Sequence, residues 1–487
     1  MMFRTLTAIV MLAISGPALA QEAPRAQQPT DFKGVQLKNK APVSNDVLQV
    51  KFRRPAESTL KNGMQLMLLE EHRSPTIQVE IAVPASSLTD PEGVPLSGAT
   101  TALMRLGTKT HDAKTIAETL ATLGASVNFA IGDRYAYARF TTLAENLDTV
   151  MALMADMLFN PTFPQDELDK WKNQQLSTLQ QIRAQPEFLA TERFAQAMYP
   201  DDRRSFVAPT AAGVSSITRD MLVQHYNQAF RPEHGRVTVL GDVTGQSITP
   251  KLDTLLTAWK GAGTAPPTLA LPAATRGRRI ILVNRPNSVQ TAFYVGNHAI
   301  DRLSPDYIPV QVLNRILGGG PSSRLFRNIR EEKGYTYGIS SGFSASRYMN
   351  HFASQTSVRT EVTADALREL LKEFADIRNR PVPTDELENA KRALIASFAL
   401  NTENAGSALS LATQVKEYGF PPDYWDTYPQ KIAAVTAADV QRVAQKYIPL
   451  DDVVIVAVGD ATKIKSALTE FGTIEEWDAE GKRAGTN

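Results

Sequence analysis

The stretch Leu313 to Ser341, LNRILGGGPSSRLFRNIREEKGYTYGISS, gathers the residue types suited to gripping a peptide. An apolar helix ends there at Gly318, Gly319 and Gly320, where backbone without Cβ atoms can take positive φ and approach a ligand closely. Pro321 opens a second helix, with Ser322 or Ser323 as its N-cap. That helix carries Arg324, Phe326, Ile329 and Arg330, ends around Lys333-Gly334, and gives way to a strand bearing Tyr335 and Tyr337. Arg330 and Tyr337 then converge. A guanidinium and a phenol aimed at one point form a donor pair for a peptide carbonyl, or for the oxyanion of a tetrahedral intermediate. The alternative is a helix-terminal arginine stacked on a strand tyrosine with no ligand between them.

Little else in the chain could do chemistry by itself. The six histidines are His72, His111, His225, His234, His298 and His351. No two stand at the i, i+4 spacing that places a pair of zinc ligands on one helix face. His225 and His234 fit surface or capping roles. There is no nucleophile elbow, P-loop or dinucleotide fingerprint, and the cysteine count of zero excludes a thiol nucleophile, thiolate ligands and disulfides. No metal ligand is assigned.

The elements that must position the pair are legible in the hydrophobic pattern. From Leu60 the chain reads as a hairpin, with a turn at Lys61-Asn62-Gly63, a strand from Met64 to Leu69 and an alternating strand from Ile77 to Val83. Amphipathic helices are predicted over Asp112 to Leu123, Ala144 to Leu158 and Gln165 to Gln185, with a strand-like stretch from Ala125 to Phe140. Residues 261–277, GAGTAPPTLALPAATRG, have a linker composition. Landmarks on either side of them recur in register. Ser216-Ile217-Thr218, a helix, a strand and Gly241-Asp242 are mirrored by Ala434-Val435-Thr436, a helix, a strand and Gly459-Asp460. Pro164-Gln165-Asp166-Glu167-Leu168 is mirrored by Pro383-Thr384-Asp385-Glu386-Leu387. These repeats imply an internal duplication, each copy a sheet with helices packed on it, an α+β architecture.

Composition sets the outer limits. With 52 basic and 51 acidic residues, no broad field draws the protein to nucleic acid or to an anionic membrane. No apolar run beyond the N-terminus is long enough to span a bilayer. Residues 1–20 read as a signal peptide, with Arg4, an apolar core from Leu6 to Ile14, and Ala18-Leu19-Ala20 as the cleavage site. Export without cysteine points to a bacterial periplasm. The expected plan is an N-terminal arm at 21–50, a first domain at 51–260, the linker, a second domain at 278–472 and a C-terminal tail at 473–487.

From Leu60 to Asp460 the sequence resembles the pitrilysin/insulinase family of zinc peptidases. The resemblance rests on the L-x-N-G strand, the Gly-rich loop, S-S-R-L-F, and Arg330-Glu331-Glu332-Lys333-Gly334-Tyr335-Thr336-Tyr337. It implies two homologous domains in a clamshell, with Arg330 and Tyr337 contacting substrate opposite a zinc site, and the loop from Gly318 through Ser323 beside it. In the family, H-x-x-E-H supplies two ligands and a general base. Anchored on Gly107-Thr108, this chain has Gly98, Thr101 and Ala102 at those places, and Gln181 where a glutamate should be the third ligand. The resemblance therefore implies a non-catalytic subunit that binds unfolded peptide and completes the site of a zinc-bearing homologous partner, the zinc residing in that partner. Ala125 to Phe140 is its expected peptide-pairing edge. Two other readings stay open: a peptide-binding holdase that acts alone, and a scaffold subunit of a larger assembly.

Overall fold

The strands fall into two six-stranded sheets. The computed structural model describes residues 47–483 apart from 49, 201, 264–266, 271 and 273–274, so the signal peptide and nearly all of the arm lie outside the described residues. The first sheet contains β1 (Ala56–Thr59), β2 (Gln65–Glu70), β3 (Thr76–Pro84), β4 (Ser126–Ile131), β5 (Tyr135–Leu143) and β6 (Arg236–Gly241), in spatial order β1-β2-β6-β3-β5-β4. The second contains β7 (Arg279–Asn284), β8 (Gln290–His298), β9 (Thr336–Ala345), β10 (Asn350–Arg359), β11 (Val454–Gly459) and β12 (Ile474–Trp477), in order β12-β7-β11-β8-β10-β9. Only the β2–β6, β7–β11 and β7–β12 pairs are parallel.

Two expectations change. β12 pairs with β7 beyond residue 472, so the segment expected as a tail supplies an edge strand of the second sheet. The stretch Ala125 to Phe140 is a hairpin, and only β4 lies on the edge, because β5 is paired on both sides. The duplication reaches the caps. Thr218 and Thr436 each accept a hydrogen bond from the amide three residues on, starting helices Arg219–Ala229 and Ala437–Tyr447.

The central strands are apolar on consecutive residues, which requires cover on both sheet faces. In β2, Leu66 and Leu68 face the helices of their own half, while Met67 and Leu69 face helix Ala405–Tyr418 from the other half. In β11, Ile455 and Ala457 face their own half, whereas Val454, Val456 and Val458 pack on helix Pro186–Met198 of the first half. Each half thus covers the second face of its partner sheet with one helix, here called its arm helix. The two arm helices occupy equivalent places in the duplication, each following the long helix whose start recurs, Gln165–Arg183 and Thr384–Glu403. Between the halves, the Tyr348 hydroxyl donates to Pro267 O and Arg204 donates to Ala270 O, so the described part of the linker is pinned.

At the end of the first arm helix, Tyr199 stacks edge-on against His298, and its hydroxyl lies 3.4 Å from His351 Nδ1. His298 Nε2 donates to Met198 O at 2.8 Å. Burial holds both imidazoles below their ordinary range, His351 at about 4, with the His298 charge adding to the effect. The Arg204 guanidinium, over the Tyr199 ring and bonded to Asp202, opposes protonation of His298 further.

Two outcomes follow. The folded state holds these histidines neutral where the unfolded chain protonates, so stability is complete above about pH 6.5 and falls as pH drops below it, His351 contributing up to about 1.4 kcal/mol per pH unit down to about 4 and His298 adding in the same direction. Urea titrations at stepped pH check this, and His351→Gln should flatten the slope. Phe194, 2% exposed and 4.6 Å from the Tyr294 ring, anchors the first arm helix. Phe194→Ala should cost about 3 to 5 kcal/mol in the same titration.

Candidate functional site

Arg330 sits near the end of a helical segment whose residues Phe326–Glu332 are π-helical, a wide form common at functional sites. Two contacts hold this segment while leaving Arg330 free to face solvent. Arg324 grips Glu386 through Nε at 3.0 Å and Nη2 at 2.6 Å. Buried Asn328 donates to Glu369 at 3.0 Å and Glu373 at 2.7 Å. The Arg330 guanidinium lies over the Phe326 ring at 4.6 Å.

Tyr337 is placed by a β-bulge. The β9–β10 register slips between Thr356 and Val358, leaving Tyr337 and Gly338 outside the regular ladder. The Thr336 hydroxyl stabilises the irregularity by donating to Ser357 O at 2.7 Å and accepting from Gly338 N. Tyr337 ends up 93% exposed. Arg330 and Tyr337 line one open recess of about 470 Å³, together with Gln290, Tyr335 and Arg359. The sequence pattern placed Arg330 and Tyr337 near one another, and gave no sign that Gln290 of β8 and Arg359 of β10 line the same recess. Only the strand register brings them there.

The Gly-rich loop is elsewhere. The expectation that its bare backbone receives a ligand meets a different use of the same property. A Cβ on Gly318 would sit 2.5 Å from Ser341 N and one on Gly319 would sit 2.9 Å from Arg315 Cα, so the chain itself fills that space. Ser341 N donates to Gly318 O, and Arg315 donates to Gly319 O. At Gly320, φ is +154° and a Cβ would meet the Arg315 guanidinium. Ser322 is exposed in a separate depression with Arg315, Arg327 and Glu386. Ser323 is 1% exposed with its hydroxyl unpartnered, so it neither caps the helix nor offers a surface to substrate, contrary to expectation.

The position of the family's metal site is helix Leu96–Leu103, here called the motif helix. Its residues do not fit a metal. A Cβ on Gly98 would meet open space, where a ligand side chain would have room. Thr101 turns its hydroxyl back on the helix, donating to Ser97 O and Gly98 O at 3.1 and 3.0 Å. Ala102 has no donor atom, and Gln181 presents a neutral amide to solvent. Among the described residues no cluster of three or more His, Cys, Asp or Glu could hold a metal ion.

A buried polar network lies under that helix. Asp90 accepts from Ser97 N and, at 2.6 Å, from Ser97 Oγ, which is 3.1 Å from His225 Nε2. Burial raises the Asp90 pKa and lowers that of His225. His225 is thus a packing partner of the motif helix, not the surface or capping residue its sequence position suggested. Ser97 is 0% exposed, so this trio has no access to substrate and serves to tie the helix down.

The comparisons agree with this geometry. Residues 66–206 match the family described as Insulinase (Peptidase family M16), and residues 216–394 match the Peptidase M16 inactive domain. The chain is 24% identical over 360 residues to an uncharacterized zinc protease, YmxG, of Bacillus subtilis (strain 168), covering 72% of this chain and 85% of that protein. It is 25% identical over 388 residues to a non-peptidase homolog, YmxG, of Helicobacter pylori (strain ATCC 700392 / 26695), covering 78% and 88%. A crystal structure of a peptidase M16 inactive domain from Pseudomonas fluorescens superimposes with a TM-score of 0.75 at 25% identity, covering 83% of this chain and 98% of that one. With the two matches together spanning well over half its length, the chain belongs to the insulinase family of peptidases, M16, as a member that lacks the family's metal-binding residues.

Proposed function

We propose that this chain is the non-catalytic, substrate-binding subunit of a heteromeric zinc peptidase of the bacterial periplasm. One observation carries the reading: both histidine positions of the metal site hold residues with no donor atom and the third holds only a neutral amide, while the Arg330–Tyr337 recess is open and its supporting contacts are intact. A chain under selection only as a scaffold has no use for an exposed tyrosine on a bulged strand. The partner is a homologous subunit with a complete H-x-x-E-H, and its zinc supplies the Lewis acid and the activated water. This chain's own part is to bind. Arg330 and Tyr337 donate to a carbonyl of an unfolded peptide and hold it in register, and Arg359 adds positive charge at the same recess. The non-peptidase homolog of Helicobacter pylori supports the same division of labour, since a relative of similar length carries that description.

Two measurements test the proposal. Elemental analysis of the purified chain, dialysed against micromolar zinc, should find far less than one equivalent of metal; stoichiometric zinc would refute the reading of the motif helix. Mixed with its zinc-bearing homologue, the chain should confer peptide hydrolysis that neither has alone. Arg330→Ala and Tyr337→Phe should each lower kcat of the mixture about 100-fold. Both side chains are solvent-exposed, so melting temperatures should not move. Wild-type rates from both variants would sink the assignment.

A further inference from the structure

Under the second arm helix, the first sheet does not close. Between β3, β5, β6 and helix Ala405–Tyr418 lies a cavity of about 440 Å³, within the range of small-molecule sites. Its lining is mixed: Glu80, Tyr137, Arg139, Arg236 and Thr238 face it from the sheet beside Val79, Phe140 and Leu240, and Thr413, Gln414 and Glu417 face it from the helix beside Leu409.

The duplication shows that this opening is a departure from the packing the fold allows. The ladders place Arg236 and Thr238 of β6 where β11 has Val454 and Val456, and Glu80 of β3 where β8 has Tyr294. In the register that aligns Pro164 with Pro383, Thr413 answers to Phe194, Gln414 to Ala195 and Glu417 to Met198. In the second half these positions form a closed apolar cluster. What stays open there is a smaller recess of about 340 Å³ at the β9 border. The part of the interface at Phe194, Val454 and Val456 is thus closed by hydrocarbon in one copy and open at Thr413, Arg236 and Thr238 in the other, while the row Tyr294, Gln355 and Ser357, which answers to Glu80, Arg139 and Thr141, lines an open recess in both.

Charge is arranged along the cavity from mouth to floor. At the mouth Arg139 Nε donates to Glu80 at 2.5 Å, with the arginine side chain 51% exposed and its guanidinium 4.4 Å from the Tyr137 ring. At the floor Arg236 Nη2 donates to Glu417 at 2.6 Å, with the arginine side chain only 9% exposed. Arg236 Nε is buried with no hydrogen-bond partner. Burial holds the Tyr137 phenol protonated, so it too can donate.

We propose that this cavity is a binding site for a small zwitterion of dipeptide size. The two ion pairs that line it, Arg139–Glu80 and Arg236–Glu417, carry no net charge together, so it favours a ligand whose own charges also cancel. A neutral polyol would gain nothing from the ion pairs. A ligand with one carboxylate and one ammonium matches both, its carboxylate at Arg236 and its ammonium at a glutamate, while Thr238, Ser410, Thr413 and Gln414 satisfy the backbone amide between them. The inference stands apart from the roles of Arg330 and Tyr337, which lie in the second half.

Calorimetric titration of the full chain with L-alanyl-L-alanine tests it, with N-acetyl-L-alanyl-L-alaninamide as the uncharged control. The free dipeptide should bind saturably and raise the melting temperature; the blocked compound should do neither. Arg236→Met should weaken binding about tenfold or more. Thr413→Phe installs the residue that the sister copy carries at this place, so it should keep the fold, melt no lower than wild type and abolish binding. No binding by wild type at millimolar dipeptide, equal binding of the blocked control, or undiminished binding by Thr413→Phe would each overturn the proposal. Should Thr413→Phe misfold, the comparison of free with blocked dipeptide on wild type and on Arg236→Met still decides.

Discussion

The structure depends on one constraint: each sheet has two faces that must be hidden from water, and its own half supplies helices for only one. The runs IILV in β7 and VIVAV in β11 leave no face that water could wet. An isolated half would expose Ile281, Val283, Val454, Val456 and Val458 together, a contiguous apolar surface of the kind soluble proteins rarely tolerate. Exchange of the arm helices removes it. Because helix Pro186–Met198 belongs to the first half and its contacts to the second, the halves cannot separate without uncovering both sheets. The recess at Arg330 and Tyr337 inherits its rigidity from this arrangement, since β10, which sets the bulge, is flanked by β8 in the covered centre of the sheet.

The loss of the metal site is compatible with the same fold for a physical reason. In a zinc-bearing relative, metal bonds help fix the motif helix. Here Gly98 lies inside that helix, which costs about 1 kcal/mol relative to alanine, and Thr101 bonds only to the helix's own carbonyls. What fixes the helix is beneath it. Asp90 accepts twice from Ser97, whose hydroxyl also meets His225, and Ala99 and Leu103 are fully buried in the core. The inward face is complete without the outward one, so the ligands could be lost without loss of the fold.

The sequence carried the duplication, the Arg330–Tyr337 pair and the degenerate motif, because each is written in a short window: a cap, a strand end, a helix-to-strand junction. Helix Gln165–Arg183 was legible to within two residues of its end. What escaped was everything set by pairing between distant segments. The role of β12 depends on β7, nearly two hundred residues earlier in sequence. Ala125 to Phe140 alternates throughout, and nothing in alternation tells an edge strand from its neighbour. His225 looked like a surface residue because a single turn of helix cannot reveal that Ser97 lies against it. The neighbours of the Gly-rich loop were hidden for a related reason. Glycine reports that something comes close, but not whether it is a ligand or, as here, Ser341 of the same chain.

The two copies have diverged in opposite directions, and the sheet interiors show it as clearly as the motifs. Valines at 454 and 456 permit Phe194 to close the interface in one copy, while Arg236 and Thr238 at the matching places keep it open in the other. Burying an arginine at a helix–sheet contact is costly unless it is paired and hydrogen-bonded, and here the pairing is incomplete at Nε. Arg236 and its partner Glu417 sit on elements from different halves, where the sister copy has the apolar pair Val454 and Met198. A paired and partly unsatisfied polar interior is therefore better explained by use than by neglect. The first half, having lost the chemistry on its outward face, retains a polar cavity on its inward one.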